Sequence, residues 1–356
     1  MKRPYPVHFL ALKTNEFISI RTSISLSDSN FHTWHHPEKY QFKPSRPVKS
    51  ISLLWAHEFM LKIRAYNHHH KEIFTKSYTS DSFGNFSFKI PIENKGTAIK
   101  SLQVFETSRL EGVELLLGTY LPTTLAAPKK IIISDLDKTL VDTRSSTPGD
   151  IYYSLTHPLE SYPTVKKSMD IMMGYINNGF HPFIVSASPH FYENTIRDWL
   201  YRNGIYDASI FLKDYRHFLS ISEGHLSPKD IKSQGPYKLG HLFDIILMTG
   251  VPEEIVLVGD DYESDPIIYM TFACILQDRP DPWQIWNEIR HHRIFKLRGK
   301  QHSYFLGKMY QVKSLLQKSK INTKIKILIR KTKNDEDMKL PFSFLRSKQN
   351  LVETFF

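Results

Sequence analysis

At 356 residues, 41% of them hydrophobic, the chain exceeds the usual size of a single domain, so two domains or one domain with large additions is expected. No run approaches the roughly 18 to 20 apolar residues that cross a bilayer, and a single cysteine, Cys274, excludes an internal disulfide and gives no sign of an oxidising compartment. The net charge is +11, yet from Arg290 to Phe356 there are 17 Lys or Arg against 4 Asp or Glu, a net +13 that leaves −2 for everything before it.

Residues 1–44 are rich in Ser, His, Pro and Thr, show no sustained period, and hold no apolar stretch sufficient for a signal peptide. They are read as an N-terminal extension whose structure is left open. The cluster His32, His35 and His36 and the run His68 to His70 are candidate metal ligands by type only. No Cys or acidic partner stands at ligand spacing, and adjacent histidines diverge on any regular element, so both read as surface loops. From 45 to 122 the pattern turns to strands: Ile51 to Trp55, Phe59 to Tyr66, and Phe86 to Ile92 with period two, then Leu102 to Phe105 and Val113 to Leu117. Asp81 to Asn85 is a good hairpin turn. These residues are expected to form a small β-sandwich domain, and Pro122 to Lys129 a linker.

From 129 to 292 helix and strand alternate, the signature of a Rossmann-like parallel sheet with helices on both faces. Ile131-Ile132-Ile133-Ser134 is a buried strand that stops at Asp135, with Asp137 two residues on. Val165 to Ile176 carries apolar residues at helical spacing, and Pro182 to Val185 is a strand ending at Ser186. A helix through Ile196 and Leu200, a strand near Ala208 to Leu212 and a long polar loop follow. Lys238 opens a helix with an apolar stripe through Leu239, Leu242, Phe243, Ile246 and Leu247. The strand Ile255 to Val258 then ends at Gly259-Asp260-Asp261, with Asp265 just beyond. Residues 293–356 are read as a basic C-terminal extension beyond the catalytic sheet, suited to a polyanion such as an anionic membrane or nucleic acid, or simply solvated.

Ligands of open α/β sheets sit beyond the carboxyl ends of the strands. Asp135 and Asp137 there serve a capping turn, a divalent metal site, or an acid and nucleophile pair, because crowded carboxylates otherwise force one to keep its proton. Taken singly, Ser186 is a helix cap, Lys238 a surface charge and Gly259-Asp260-Asp261 a turn. Together they meet the needs of phosphoryl transfer: a carboxylate nucleophile, carboxylate oxygens for Mg2+, and cationic or hydroxyl donors for phosphoryl charge.

The ordered set Asp135-x-Asp137-x-Thr139, Ser186, Lys238 and Gly259-Asp260 with Asp265 resembles the four motifs of the haloacid dehalogenase superfamily. Phe183 to Pro189 and Val256 to Tyr269 are similar to the actin-patch-protein type of phosphatidate phosphatase catalytic domain, with its VSNSP and LVGDSGQHDPEIY stretches, over about 130 to 280. The Thr79 to Phe88 hairpin also resembles the β-domain that often precedes it. The chain departs from the pattern at Ala187, Asp261, Tyr262, Glu263 and Ser264, and Asp261 competes with Asp265 as the second acidic group of the metal site.

That resemblance implies the following roles. Asp135 is nucleophile and Mg2+ ligand, and Asp137 is general acid, then base, and a ligand through its carbonyl. Asp260 and Asp265 complete the metal site, while Ser186 and Lys238 hold the phosphoryl group. It implies an Mg2+-dependent phosphatase working through an aspartyl-phosphate. Only 46 residues separate Thr139 from Ser186, and 51 separate Ser186 from Lys238, which leaves little room for a cap. A site with so little lid suits a phosphate presented on something large, and together with the basic tail and the family resemblance this implies a lipid phosphate such as phosphatidate, presented on a membrane to a cytoplasmic, peripherally bound enzyme. A phosphatase acting on nucleic-acid ends or phosphoprotein is the alternative enzyme, where a basic tail serves equally. An inactive membrane-binding adaptor is the alternative from another class.

Overall fold

The computed structural model describes residues 2–28, 57–92, 99–143, 157–214, 235–262, 264–297, 301–331 and 340–356. The His32, His35 and His36 cluster and the expected strand Ile51 to Trp55 lie outside them. The chain divides into two units. One comprises Met1–Ala126, Pro189–Asn194 and Asp214–His225; the other comprises Ala127–Ser188, Thr195–Lys213 and Leu226–Phe356.

The first unit holds β1 (Lys2–Lys13), β2 (Phe17–Asp28), β3 (Met60–Tyr66), β4 (Glu72–Thr79), β5 (Asn85–Pro91), β6 (Ser101–Glu106), β7 (Leu115–Tyr120) and β8 (Thr123–Thr124). They form two four-stranded sheets, β5-β2-β1-β8 and β4-β3-β6-β7. Alternation places Ile18, Ile20 and Ile24 of the first sheet in one buried cluster with Leu61, Ile63, Leu102 and Val104 of the second.

Residues left open at the N-terminus thus supply a long hairpin, β1 with β2. Its period was hidden by Pro4 and Pro6 and by a register shift between Pro6 and His8, since a bulge inverts the alternation beyond it. Asp81 to Asn85 is a turn, closed by Gly84 at φ +77° and by Asp81 Oδ1 accepting from the amides of Phe83 and Asn85 at 2.8 Å. It is not a hairpin, however: β4 pairs with β3 and β5 with β2, so the turn passes the chain from one sheet to the other. His68 to His70 are exposed in the turn before β4.

The second unit is built on a six-stranded sheet, β11-β10-β9-β12-β13-β14. Its strands are β9 (Lys130–Asp135), β10 (His181–Pro189), β11 (Ser209–Lys213), β12 (Glu254–Asp260), β13 (Lys324–Arg330) and β14 (Val352–Phe355). The pairs β10–β9, β9–β12, β12–β13 and β13–β14 are all parallel. Around them lie α1 (Lys166–Asn177), α2 (Glu193–Arg202), α3 (Gly235–Thr249), α4 (Asp265–Asp278), α5 (Pro282–Ile289) and α6 (Gln301–Lys318). β9 and β12 are central, which is why Ile131 to Ile133 and Val256 to Val258 read as unbroken apolar runs, buried on both faces. Cys274 is buried in α4. Among the described residues no helix is long and apolar enough to cross a membrane.

The basic tail is corrected here: β13 and β14 belong to this sheet. Ile325, Ile327 and Ile329 alternate with Lys324, Lys326 and Leu328 and are buried, a strand pattern that the density of charge obscured. Lys308, Lys313, Lys326, Arg330 and Lys348 pair with Asp244, Asp281, Glu353, Asp142 and Asp278, so these five cations of the tail are paired within the fold.

Candidate active site

All six residues singled out in the sequence lie on or just after the carboxyl ends of neighbouring strands, or at the start of the helices that follow. β9 delivers Asp135, 2% exposed. The chain then turns back tightly, with the amides of Leu140 and Val141 both donating to Leu136 O at 2.9 and 3.0 Å. This turn puts Lys138 in the left-handed region, φ +60°, a conformation that costs a non-glycine residue about 1–2 kcal/mol. Asp137 lies two residues beyond Asp135 and outside its acidic cluster. Its carboxylate accepts from Thr143 Oγ1 at 3.0 Å and from Ser186 Oγ, in the second half of β10, at 3.2 Å. The Ser186 hydroxyl also accepts from the amide of Ser188 at 3.1 Å.

β12 delivers Asp260, and the first turn of α4 delivers Asp265; both are wholly buried. Oxygens of Asp135, Asp260 and Asp265 lie within 4.8 Å of one another. Lys238, in the first turn of α3 and 1% exposed, reaches Asp265 Oδ1 at 2.5 Å and Asp135 Oδ2 at 3.2 Å. One buried ammonium among three buried carboxylates leaves a net negative site, and a hard divalent cation with a preference for oxygen ligands fits that donor set. Asp137 stands outside the trio. Asp261 is only partly buried, and its amide donates to Arg330 O at 3.1 Å; the cluster includes Asp265 and not Asp261.

Gly259 permits this crowding, because a Cβ there would meet Asp265 Oδ2 at 2.5 Å and Tyr269 Cε2 at 2.8 Å. The Tyr269 hydroxyl donates to Val258 O at 3.1 Å. Burial pushes its pKa well above the ordinary value and the carboxylates of Asp265, Asp135 and Asp260 add to this, with Lys238 opposing. It stays a neutral donor beside these carboxylates.

Thr139, part of the first motif, places Oγ1 3.4 Å from Asp260 Oδ2. Two neighbours carried no motif: Thr143, an unremarkable hydroxyl that donates to Asp137, and Arg330. Arg330, hidden in the charge of the tail, donates from Nη1 to Lys138 O at 2.6 Å. Its place at the end of an alternating strand was the available signal.

The model of one protein family, described as the catalytic domain of phosphatidate phosphatase APP1, matches residues 130–281. No curated protein matches the chain significantly. Among solved structures, a chain of the Pnkp1/Rnl/Hen1 complex is 14% identical over 43% of this chain and 48% of its own, with a TM-score of 0.25. A β-glucuronidase of Parabacteroides merdae is 9% identical over 92% of this chain and 35% of its own, with a TM-score of 0.27. The chain thus spans about half the length, or less, of these solved chains, and likenesses this weak carry nothing about fold or function. The match begins at the first residue of β9 and takes in every carboxylate of the site, Ser186 and Lys238, so residues 130–281 are similar to the catalytic domain of phosphatidate phosphatase APP1.

Proposed function

We propose that this chain is an Mg2+-dependent, haloacid dehalogenase-like phosphatase that hydrolyses a lipid phosphate such as phosphatidate, giving diacylglycerol and orthophosphate through an aspartyl-phosphate on Asp135. The observation that carries this reading is the buried Asp135, Asp260 and Asp265 trio around Lys238, with Asp137 set apart beside two hydroxyls. Asp135, Asp260 and Asp265 are the carboxylates to hold the cation, with the carbonyl of Asp137 as a further ligand on the strength of the resemblance. Mg2+ held there would supply positive charge to offset the carboxylates and the charge of the phosphoryl group.

A carboxylate oxygen of Asp135 attacks phosphorus, and the bond from phosphorus to the ester oxygen breaks. Protonated Asp137 gives its proton to that oxygen, releasing the alcohol. Asp137, now anionic, takes a proton from water as the water oxygen attacks the aspartyl-phosphate. The bond from phosphorus to Asp135 breaks, and orthophosphate leaves. Lys238 steadies the Asp135 carboxylate and the transferring group, and Ser186 exchanges its contact with Asp137 for one to a phosphoryl oxygen.

A bilayer substrate has to approach the carboxyl ends of the strands. Lys324 faces Glu254 in the β12–β13 register, six positions from the Asp260–Arg330 pair, and so lies about 20 Å from the site at strand rise. Arg293 and Lys296 are exposed beside Ile294, whose carbonyl accepts from the amide of Gly235 at the start of α3, the helix that carries Lys238. These two are our candidates for contact with anionic lipid. In the other unit, the two sheets facing one apolar core are read as a β-sandwich.

The test is Mg2+-dependent phosphate release across phosphatidate vesicles, soluble phosphomonoesters, phosphopeptides and 5′- or 3′-phosphorylated oligonucleotides. Phosphatidate vesicles are expected to rank first, and Asp135→Asn to abolish turnover. A higher rank for oligonucleotides or phosphopeptides would replace the lipid reading, and turnover retained by Asp135→Asn would remove the covalent mechanism.

A further inference from the structure

We infer that Arg330, which lies outside the matched catalytic segment, is a positioning residue that holds the two acidic loops of the site in register. This rests on the phosphatase reading only for its kinetic consequence. Arg330 ends β13 directly opposite Asp260 in the strand pairing. From there it reaches both loops. Its carbonyl accepts from the amide of Asp261, just after the β12 carboxylate, at 3.1 Å. Its guanidinium donates to Lys138 O, between Asp137 and Thr139, at 2.6 Å, and also faces Asp142 Oδ1 at 3.4 Å.

The loop it grips needs such a hold. Lys138 is in the left-handed conformation, and strained backbone of this kind persists only where its surroundings over-determine it. Two further contacts act on the same residue: its amide donates to Val141 O at 2.6 Å, and its ammonium stands 2.8 Å from the ring centroid of Tyr262, in the second loop. Lys138 is 6% exposed, so the turn is anchored from within. Of these contacts, only the one from Arg330 is a charge-assisted hydrogen bond to the carbonyl, and such bonds are roughly twice as strong as neutral ones. Flanking residues set the stakes. Asp137 is the proposed acid and base, and Thr139 touches Asp260, so a shift of the turn moves both the proton donor and a neighbour of the metal-binding carboxylates. Displacements of about 1 Å at such distances cost about 100-fold in rate.

The test compares Arg330→Met and Arg330→Lys with wild type in the full chain by three readouts: thermal unfolding, amide hydrogen exchange over residues 136–143, and steady-state kinetics on a soluble phosphomonoester with Mg2+. Arg330→Met is expected to exchange those amides at least tenfold faster and to lose about 10- to 100-fold in kcat with KM changed less than threefold. Arg330→Lys, which keeps the charge but not the fork, should fall between. Unchanged exchange in either folded variant overturns the proposal, as does a fall in kcat matched by an equal fall in the fraction folded. If wild type releases no phosphate from any substrate, the phosphatase reading fails while the exchange data still decide the role of Arg330. If Arg330→Met does not fold, Arg330→Lys alone decides: wild-type exchange and kcat in that variant refute the positioning role.

Discussion

Lys238 Nζ lies 2.5 Å from Asp265 Oδ1, both side chains being at most 2% exposed, and the same ammonium is 3.2 Å from Asp135. It is the cation that lets three carboxylates share a buried cluster. Removing one partner of a buried pair typically costs about 3–5 kcal/mol because the other charge is stranded. Lys238→Met is therefore expected to be inactive and to unfold at lower temperature in a chelator. Divalent cation should raise its melting temperature more than that of wild type, since a ligand bound only by the native state stabilises it by mass action. Differential scanning calorimetry with and without Mg2+ checks this; equal increments in the two proteins would mean that the cation does not sit among these carboxylates.

Asp265 and Asp261 separate cleanly in the structure, the first buried within the acidic cluster and the second partly exposed. Asp265→Asn should raise the Mg2+ concentration for half-maximal rate by tenfold or more, the scale on which groups around a metal act. Asp261→Asn should leave it within about twofold, as expected of a partly solvated side chain outside the ligand set. Metal titrations of both variants decide the assignment, and the opposite ranking would transfer the role to Asp261.

Gly259 leaves no room for a methyl group, with Asp265 Oδ2 2.5 Å and Tyr269 Cε2 2.8 Å from the position that a Cβ would take. Gly259→Ala must displace Asp265 or the ring, at a cost of about 1–3 kcal/mol typical of overpacking. Weaker Mg2+ dependence should accompany lower stability. Wild-type unfolding and metal response in this variant would show that the crowding relaxes without consequence.

Arg293 and Lys296 are the exposed cations expected to meet an anionic bilayer. At about 1 kcal/mol for each basic residue near such a surface, Arg293→Gln with Lys296→Gln should weaken vesicle binding about 30-fold at low salt. Changing Lys318, Lys320 and Lys324 to Gln, toward the amino ends of the strands, should change it little. Vesicle sedimentation with both sets, at low and high salt, distinguishes them; equal losses would point to undirected attraction by net charge.

His181 offers a check on stability by pH. Its ring packs on Phe183 with a centroid separation of 4.9 Å and Nε2 lies 2.9 Å from Ser209 Oγ, while burial pushes its pKa down to about 4. The unfolded value is about 6.5, so between these limits the unfolded chain binds more protons, and stability falls as pH drops from about 6.5 towards 4. This contribution amounts to at most about 3 kcal/mol. Denaturant unfolding at pH 7 and pH 5 should show a smaller difference in His181→Phe than in wild type, and identical differences would mean that the imidazole is free to charge in the native state.

The sequence alone determined the central part of the second unit, because signals there are local. Ile131 to Ile133 and Val256 to Val258 are continuous apolar runs since both strands are buried on both faces. Each run is followed within two residues by a carboxylate, Ser186 follows the apolar run of β10, and Lys238 sits at a break in period that marks the start of a helix. Tertiary structure alone decided what depends on pairing over distance. Pro4, Pro6 and the shift beside them broke the alternation of β1, and the Ser residues of β2 diluted an alternation of Ile18, Ile20 and Ile24 that is recognisable once its partners are known. The turn at Asp81 to Asn85 has the same local chemistry whether it closes a hairpin or carries the chain to another sheet; only the partners of β4 and β5 distinguish the two. The tail read as a solvated polycation because its lysines outnumber its acids, while its pairs with Asp244, Asp281 and Asp278 come from segments upstream. Most consequential is the bond from Arg330 to Lys138 O, across 192 positions of sequence: a backbone carbonyl carries no sequence signal, so that contact exists only once the parallel sheet has set β13 beside β12.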